Sequence, residues 1–286
     1  MKSKKIKVSN FYLKRKKFFS KITSNFKHTK FSDFLVAYKI PNNIQNKLLS
    51  SARVYLKECK NYKLKNMTPN GMLIPKKEVQ HHYSKFVVNY HKLLINMNLD
   101  KIILKCYFPA LRFKSGRIDA RNKRRATRSE LPHADCWAGW GNNNILIQIP
   151  LIGDVKKNKV SYFETPKNIN SRWLNERDFI SAQKLYFKPR LIKHHYKIGY
   201  IYISDITTLH KTSRSKNSYD RLSVDIPLLI KSKKKNVQKF ISAQGASMKK
   251  MGEINKKIKL VTSTRMGQFY SRPGIKSSTS LRFKKL

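Results

Sequence analysis

LPHADCWAGW, residues 131–140, and IGYIYISDITTLHKTSRSKNSYDRLSVDIPLL, residues 198–229, are the two stretches on which the fold turns. In an extended chain residues two apart share a face, so His133 and Asp135 can be aimed at one point. The second stretch reads as a strand, a tight segment and then His210. Eleven residues later comes Arg221, with Ser223 two further on and on the same face of its own strand. Two imidazoles and one carboxylate are the donor set that holds a non-haem iron(II) while leaving coordination positions open. An arginine beside a hydroxyl suits one end of a dicarboxylate, through a bidentate charge-assisted pair and a third hydrogen bond.

Outward from these stretches, the chain after Lys101 breaks into short apolar runs separated by turn residues. KIILKCYF (101–108), NILIQIPLI (144–152), KVSYFE (159–164), IGYIYISD (198–205), ITTLH (206–210) and RLSVDIPLLI (221–230) are rich in β-formers. Before them the texture is helical. NNIQNKLLSSARVYLKECK (42–60) carries apolar residues at Ile44, Leu48, Leu49, Val54 and Leu56. Over roughly 77–97, Val79, Tyr83, Phe86, Val87, Tyr90, Leu93, Leu94 and Met97 recur at helical spacing. The expected fold class is therefore mainly β with supporting α-helices, a β-sandwich or jelly roll with helices on one side. The expected organisation is a basic lead over 1–30, partly ordered at best, a helical support region over 31–100 and a β core over 101–230. A basic tail over 231–286 and a short helix somewhere within 168–190 complete it.

The order His-x-Asp, a distal histidine roughly seventy-five residues on and Arg-x-Ser on the following strand resembles the 2-oxoglutarate/Fe(II) oxygenases of the double-stranded β-helix, or cupin-like, fold. The likeness spans about residues 101–230. PHADCWAGWGNNNILIQIPL followed by NKVSYFETP is similar to the phytanoyl-hydroxylase type. Within that type it most resembles oxygenases of bacterial carbohydrate-synthesis clusters, including that of streptomycin biosynthesis. The resemblance implies His133, Asp135 and His210 as iron ligands and Arg221 and Ser223 as the grip on the distal carboxylate of 2-oxoglutarate. It further implies O2, an ascorbate-type reductant and the release of CO2 and succinate. The prime substrate it implies is a small molecule such as a carbohydrate or nucleotide-linked sugar. Related halogenases replace the carboxylate of the triad with a small residue, so retention of Asp135 favours hydroxylation, desaturation or ring closure.

Several neighbouring residues are candidates of lesser weight. The rings of Trp137 and Trp140 can flank a substrate or pack in the core. Gln148 lies on an apolar strand, where its amide needs a partner and can contact the keto acid or a backbone group. Tyr107 and Arg112 are weaker candidates for the same role. Glu164 reads by default as a salt-bridge partner, and no Arg-x-Ser follows His194 or His195 on the next strand.

Charge is the compositional oddity: 63 Lys+Arg against 15 Asp+Glu give a formal net charge of +48. Such a field attracts polyanions or a phosphorylated substrate, and compositional drift would produce the same lysine enrichment. With acids so scarce, Asp135, Asp205 and Asp225, each inside an apolar stretch, demand a reason. A basic nucleic-acid-binding protein on a cupin-like fold without turnover is the rival expectation, resting on KSGRIDARNKRRATR (114–128) and the tail. A nucleic-acid demethylase is disfavoured, because Ser223, Asp225 and Pro227 stand where Asn, Thr and Arg are needed. Three cysteines, Cys59, Cys106 and Cys136, make no CxxC pair, which points to a reducing, cytoplasmic setting. No apolar run approaches the length of a membrane span.

Overall fold

The computed structural model describes residues 7–61, 71, 73, 79–106, 109, 111–117, 129–138, 142–175 and 190–231, with three short strands beyond them. The elements in chain order are α1 (Asn10–Thr23), β1 (Thr29–Ser32), β2 (Leu35–Lys39), α2 (Asn42–Asn61) and α3 (Gln80–Asn96). Then follow β3 (Ile103–Cys106), β4 (Leu111–Lys114), β5 (Asn144–Gly153), β6 (Asn158–Phe163), the short helix α4 (Ser171–Asn175) within the stretch expected to hold one, β7 (Tyr200–Asp205), β8 (Leu209–Arg214) and β9 (Arg221–Ile230). The strands beyond are β10 (Lys249–Lys250), which pairs with β3, and the hairpin β11 (Ile258–Thr262) with β12 (Leu281–Lys285).

Strand pairing defines the architecture. The large antiparallel sheet runs β1-β2-β7-β5-β9, and β9 pairs on its far side with β4 and β3. The small sheet pairs β6 with β8 and is extended by two bridges, His133 to His210 on one side and Phe163 to Leu191 on the other. Followed along the chain, β4 is in the large sheet, the His133 segment in the small, β5 in the large, and β6 and the Leu191 segment in the small. The chain then returns to the large sheet in β7, the small in β8 and the large in β9. That alternation, with two sheets face to face, is the double-stranded β-helix, and the fold is mainly antiparallel β with a few helices.

Helices cover the outer face of the large sheet. One apolar core unites Phe19 and Ile22 of α1, Leu48 and Tyr55 of α2, and Phe86, Tyr90 and Leu93 of α3 with Ile145, Ile147 and Ile149 of β5, Ile201 and Ile203 of β7, and Leu222, Val224, Ile226 and Leu228 of β9. The α3 face follows the predicted helical spacing, every one of its eight expected residues being buried. On α2 the buried face is Leu48, Leu49, Ala52, Tyr55 and Cys59, whereas Val54, expected to be apolar and inward, is 42% exposed. The stretch expected to be a partly ordered lead holds α1. Ser9 caps it by accepting from the backbone N–H of Tyr12 at 3.0 Å, and its apolar stripe is buried.

Between the sheets a second, smaller apolar cluster joins Leu35, Ala37, Val160, Tyr162, Tyr196 and Tyr202. Side chains alternate across each strand, so the residues of β9 that do not face the helices, Arg221, Ser223 and Asp225, line this interior. Opposite Arg221, Gly153 has φ +92°, and a Cβ there would stand 2.1 Å from the Asp220 carbonyl. Only glycine permits so close an approach of the two strands at this end of the barrel.

Candidate metal centre

His133 and His210 are directly paired through the backbone. The N–H of His133 donates to the carbonyl of His210 at 3.0 Å, and the N–H of His210 donates back at 2.8 Å. In an antiparallel ladder such partners put their side chains on the same face, and the imidazole centroids stand 4.4 Å apart. The expectation that His133 and Asp135 share a regular strand needs correcting. His133 is an isolated bridge residue, and the chain turns at once into a short 3-10 segment, Asp135–Ala138. The turn still brings the carboxylate round: Asp135 Oδ2 lies 3.9 Å from His210 Nε2. One donor atom from each of His133, Asp135 and His210 lies within 4.8 Å of the others, and all three residues are buried.

The electrostatics prepare the three for a cation. Nδ1 of His133 lies 2.8 Å from the Leu131 carbonyl and Nδ1 of His210 lies 3.2 Å from that of Thr208. Both geometries place the proton on Nδ1 and turn the Nε2 lone pair inward. Burial pushes the His133 pKa down to about 4, with His210 beside it adding to the shift. Burial lowers that of His210 as well. Both rings are therefore neutral, and the 3.9 Å contact with Asp135 is not an ion pair. The Asp135 carboxyl is raised by burial and by the charge of Asp225 nearby, and its Oδ2 has no hydrogen-bond partner. Two neutral imidazoles and an orphaned carboxylate oxygen are the state in which a dication is bound with loss of a proton. The residues present fit a divalent metal.

Deeper in the barrel, Arg221 is 2% exposed. Its Nη1 donates to the Asn158 carbonyl at 3.1 Å, its guanidinium sits 5.3 Å from the Tyr196 ring centroid, and its Nε is unpaired. Ser223 is buried beside Tyr196. Asp225, the next inward residue of the same strand, acts electrostatically on both Asp135 and His210 and pairs with Arg112 at 3.0 Å. The interior face of β9 thus leads from beside the triad to a buried cation.

Gln148 finds a side-chain partner, accepting from the Tyr162 hydroxyl. Trp137 makes the contacts of core packing: its Nε1 donates to the Trp173 carbonyl at 3.0 Å, and it meets the Trp173 ring edge-on. Glu164 pairs with Arg190 at 3.8 Å, and His194 is held against the Ile192 and Val160 carbonyls, apart from the triad. Trp140, Tyr107, the basic loop over 118–128 and most of the tail after Lys231 lie outside the described residues.

Lys114, expected as the first residue of the basic run for phosphate contacts, is instead buried on β4 directly opposite Arg221. Its ammonium donates to Ser129 Oγ at 2.7 Å. Burial and then Arg112 push its pKa down to about 7, against the pull of Glu130. Nothing in the sequence marks one lysine among so many. The scarce acids were the better signal, since Asp225 pairs with Arg112 and Asp205 with Arg15.

Fold and site together define a double-stranded β-helix with a buried His-x-Asp/His cluster. No protein-family model matches the chain, and no curated protein does. Among solved structures it is similar to the non-haem α-ketoglutarate-dependent epimerase SnoN from nogalamycin biosynthesis, with TM-score 0.43 and 10% identity over 76% of this chain and 84% of that one. The carbocyclase SnoK of the same biosynthesis aligns with TM-score 0.43 and 12% identity over 77% and 84%. EctD from S. alaskensis, solved with 2-oxoglutarate and 5-hydroxyectoine, aligns with TM-score 0.42 and 10% identity over 68% and 71%.

Proposed function

We propose that this protein is a non-haem Fe(II) and 2-oxoglutarate-dependent oxygenase acting on a small molecule. The observation that carries the reading is the unpartnered, buried Asp135 oxygen facing two imidazoles that are neutral and already protonated on Nδ1. His133 and His210 would bind iron through Nε2, and Asp135 through its carboxylate. Arg221 and Ser223 would hold the far carboxylate of 2-oxoglutarate, the unpaired guanidinium Nε supplying a donor that the fold itself does not use. Bound there, iron(II) with 2-oxoglutarate and O2 supplies oxidation of a C–H bond, releasing CO2 and succinate. The chain's own work is positional: the ladder sets the spacing of the rings, the backbone carbonyls fix their tautomers, and the tyrosine-lined interior excludes water.

Because Asp135 is present, hydroxylation, desaturation or ring closure is the outcome rather than halogenation. The phytanoyl-hydroxylase likeness of residues 132–151 makes a carbohydrate or nucleotide-linked sugar the first substrate class to try, anionic forms included. The test is succinate formation from 2-oxoglutarate with Fe(II), with and without candidate sugars, followed by mass spectrometry for a gained oxygen. The reading fails if His133→Ala leaves iron binding and succinate production unchanged. Tight, salt-sensitive binding of nucleic acid without any succinate would favour the rival.

A further inference from the structure

We infer that α1, a helix outside the barrel, is part of the scaffold of the metal centre and acts through Arg15 on the turn that orients both arms of the triad. The inference rests on reading His133, Asp135 and His210 as ligands.

The turn is Asp205 to Thr208, between β7 and β8. Thr208 presents the carbonyl that receives Nδ1 of His210 at 3.2 Å, and so sets that ring. Ile206 presents the carbonyl that accepts the N–H of Cys136 at 3.2 Å, and so anchors the peptide following Asp135. One four-residue turn therefore touches both segments that carry the site. Its conformation is fixed by the Asp205 carboxylate, whose Oδ1 accepts from the Thr207 N–H at 2.9 Å and from its hydroxyl at 2.6 Å. That carboxylate, with a fully buried side chain, is in turn gripped by Arg15, whose Nε donates to Oδ1 at 3.3 Å while Nη2 donates to Oδ2. The third nitrogen, Nη1, donates to the carbonyl of Asn142, just before β5.

Arginine suits the position for a specific reason. Its planar fork spans two carboxylate oxygens and a carbonyl at once, which a lysine ammonium cannot do with the same geometry. Other contacts hold the turn (Phe34 carbonyl with Asp205 N–H and Thr208 hydroxyl, Trp173 Nε1 with the Thr207 carbonyl), but among the described residues Arg15 alone brings it a charge. Groups that orient metal ligands tune affinity by about 10–100-fold. By linkage, metal binding must then strengthen the Arg15–Asp205 contact by the same factor.

The test is Co(II) affinity of the whole chain, read from its visible absorption, for the parent, Arg15→Met, Arg15→Lys and Ile22→Ala. Ile22→Ala loosens the same helix through apolar packing alone. We expect Arg15→Met to bind Co(II) at least about tenfold more weakly, Arg15→Lys to recover part of the loss, and Ile22→Ala to stay within twofold of the parent despite a lower thermal midpoint. Should Arg15→Met not fold, the neutral pair Arg15→Met/Asp205→Asn and the milder Thr207→Val carry the same expectation. Unchanged Co(II) affinity in a folded Arg15 variant, or losses that track thermal stability across all variants, overturns the inference. A parent that binds no Co(II) would instead sink the metal centre itself.

Discussion

β9 meets two different environments within ten residues. Its Leu222, Val224, Ile226 and Leu228 face the helices in a continuous apolar core, while Arg221, Ser223 and Asp225 face a barrel interior lined by tyrosines, cations and the His-Asp-His cluster. The first face is a packing problem, settled by volume and apolar area; the second is an electrostatic one, settled by partners. Changes on one side should therefore alter stability and spare the chemistry, and the reverse should hold on the other.

The largest break in that comparison is His210→Ala. Metal affinity should fall by more than about a hundredfold, beyond what orienting groups alone contribute, and succinate formation should vanish. Unfolding by urea should show the fold intact. On the dry face, Phe86→Ala should cost about 3–5 kcal/mol in the same urea measurement while leaving the metal affinity of the folded fraction as it was. Arg221→Met should weaken binding of 2-oxoglutarate or a non-reactive analogue by about 2–3 kcal/mol, roughly thirty- to over a hundredfold. Calorimetry on the Mn(II)-loaded protein would measure this without turnover, and an unchanged affinity would move the cosubstrate elsewhere.

pH sharpens the contrast further, because burial inside the barrel shifts both His133 and Asp135, in opposite directions. His133 has a folded pKa of about 4 against an ordinary 6.5, so below 6.5 the unfolded chain holds a proton that the folded one refuses. Its contribution to stability is whole above pH 6.5 and is lost as pH falls towards 4. Asp135 is raised, so it works the other way: the folded apo-protein keeps a proton the unfolded chain has released, and stability declines as pH rises above the ordinary carboxyl range. Asp135→Asn should therefore steepen the rise in apo-protein stability between pH 4 and 6.5, as followed by thermal melts. In the parent, metal affinity should climb with pH as the Asp135 proton is displaced. The smallest effect belongs to the outer surface. Glu164→Gln breaks a pair with Arg190 whose side chains are 48% and 82% exposed, and melts should shift by no more than the scatter expected of an exposed ion pair.

Legibility in the sequence followed the same division. Periodicity identified α3 and β9 because each buries a regular set of positions, and period is what a sequence records most directly. The paired interior faces of β9 were readable from Arg-x-Ser because the strand is regular there. Local geometry around Asp135 was not, since a 3-10 segment begins two residues after His133 and such a turn has no period to detect. The segment ITTLH looked like a strand, but only Leu209 and His210 belong to one; Ile206 to Thr208 form the turn, held by the Asp205 side chain. Nor did α1 announce itself, because lysines interrupt its apolar residues and hide a single buried arginine whose partner lies 190 residues away. The scarcity of acids came nearest to predicting it: Asp135, Asp205 and Asp225 each have a buried structural or chemical reason to be where they are.

The reciprocal peptide bonds between His133 and His210 carry one more consequence. The separation of the two imidazoles is written into main-chain groups that every residue shares, not into a neighbourhood of particular side chains. A chain built this way can load its exterior with lysine, or exchange nearly all of its outward-facing residues, and still present the same two nitrogens at the same spacing.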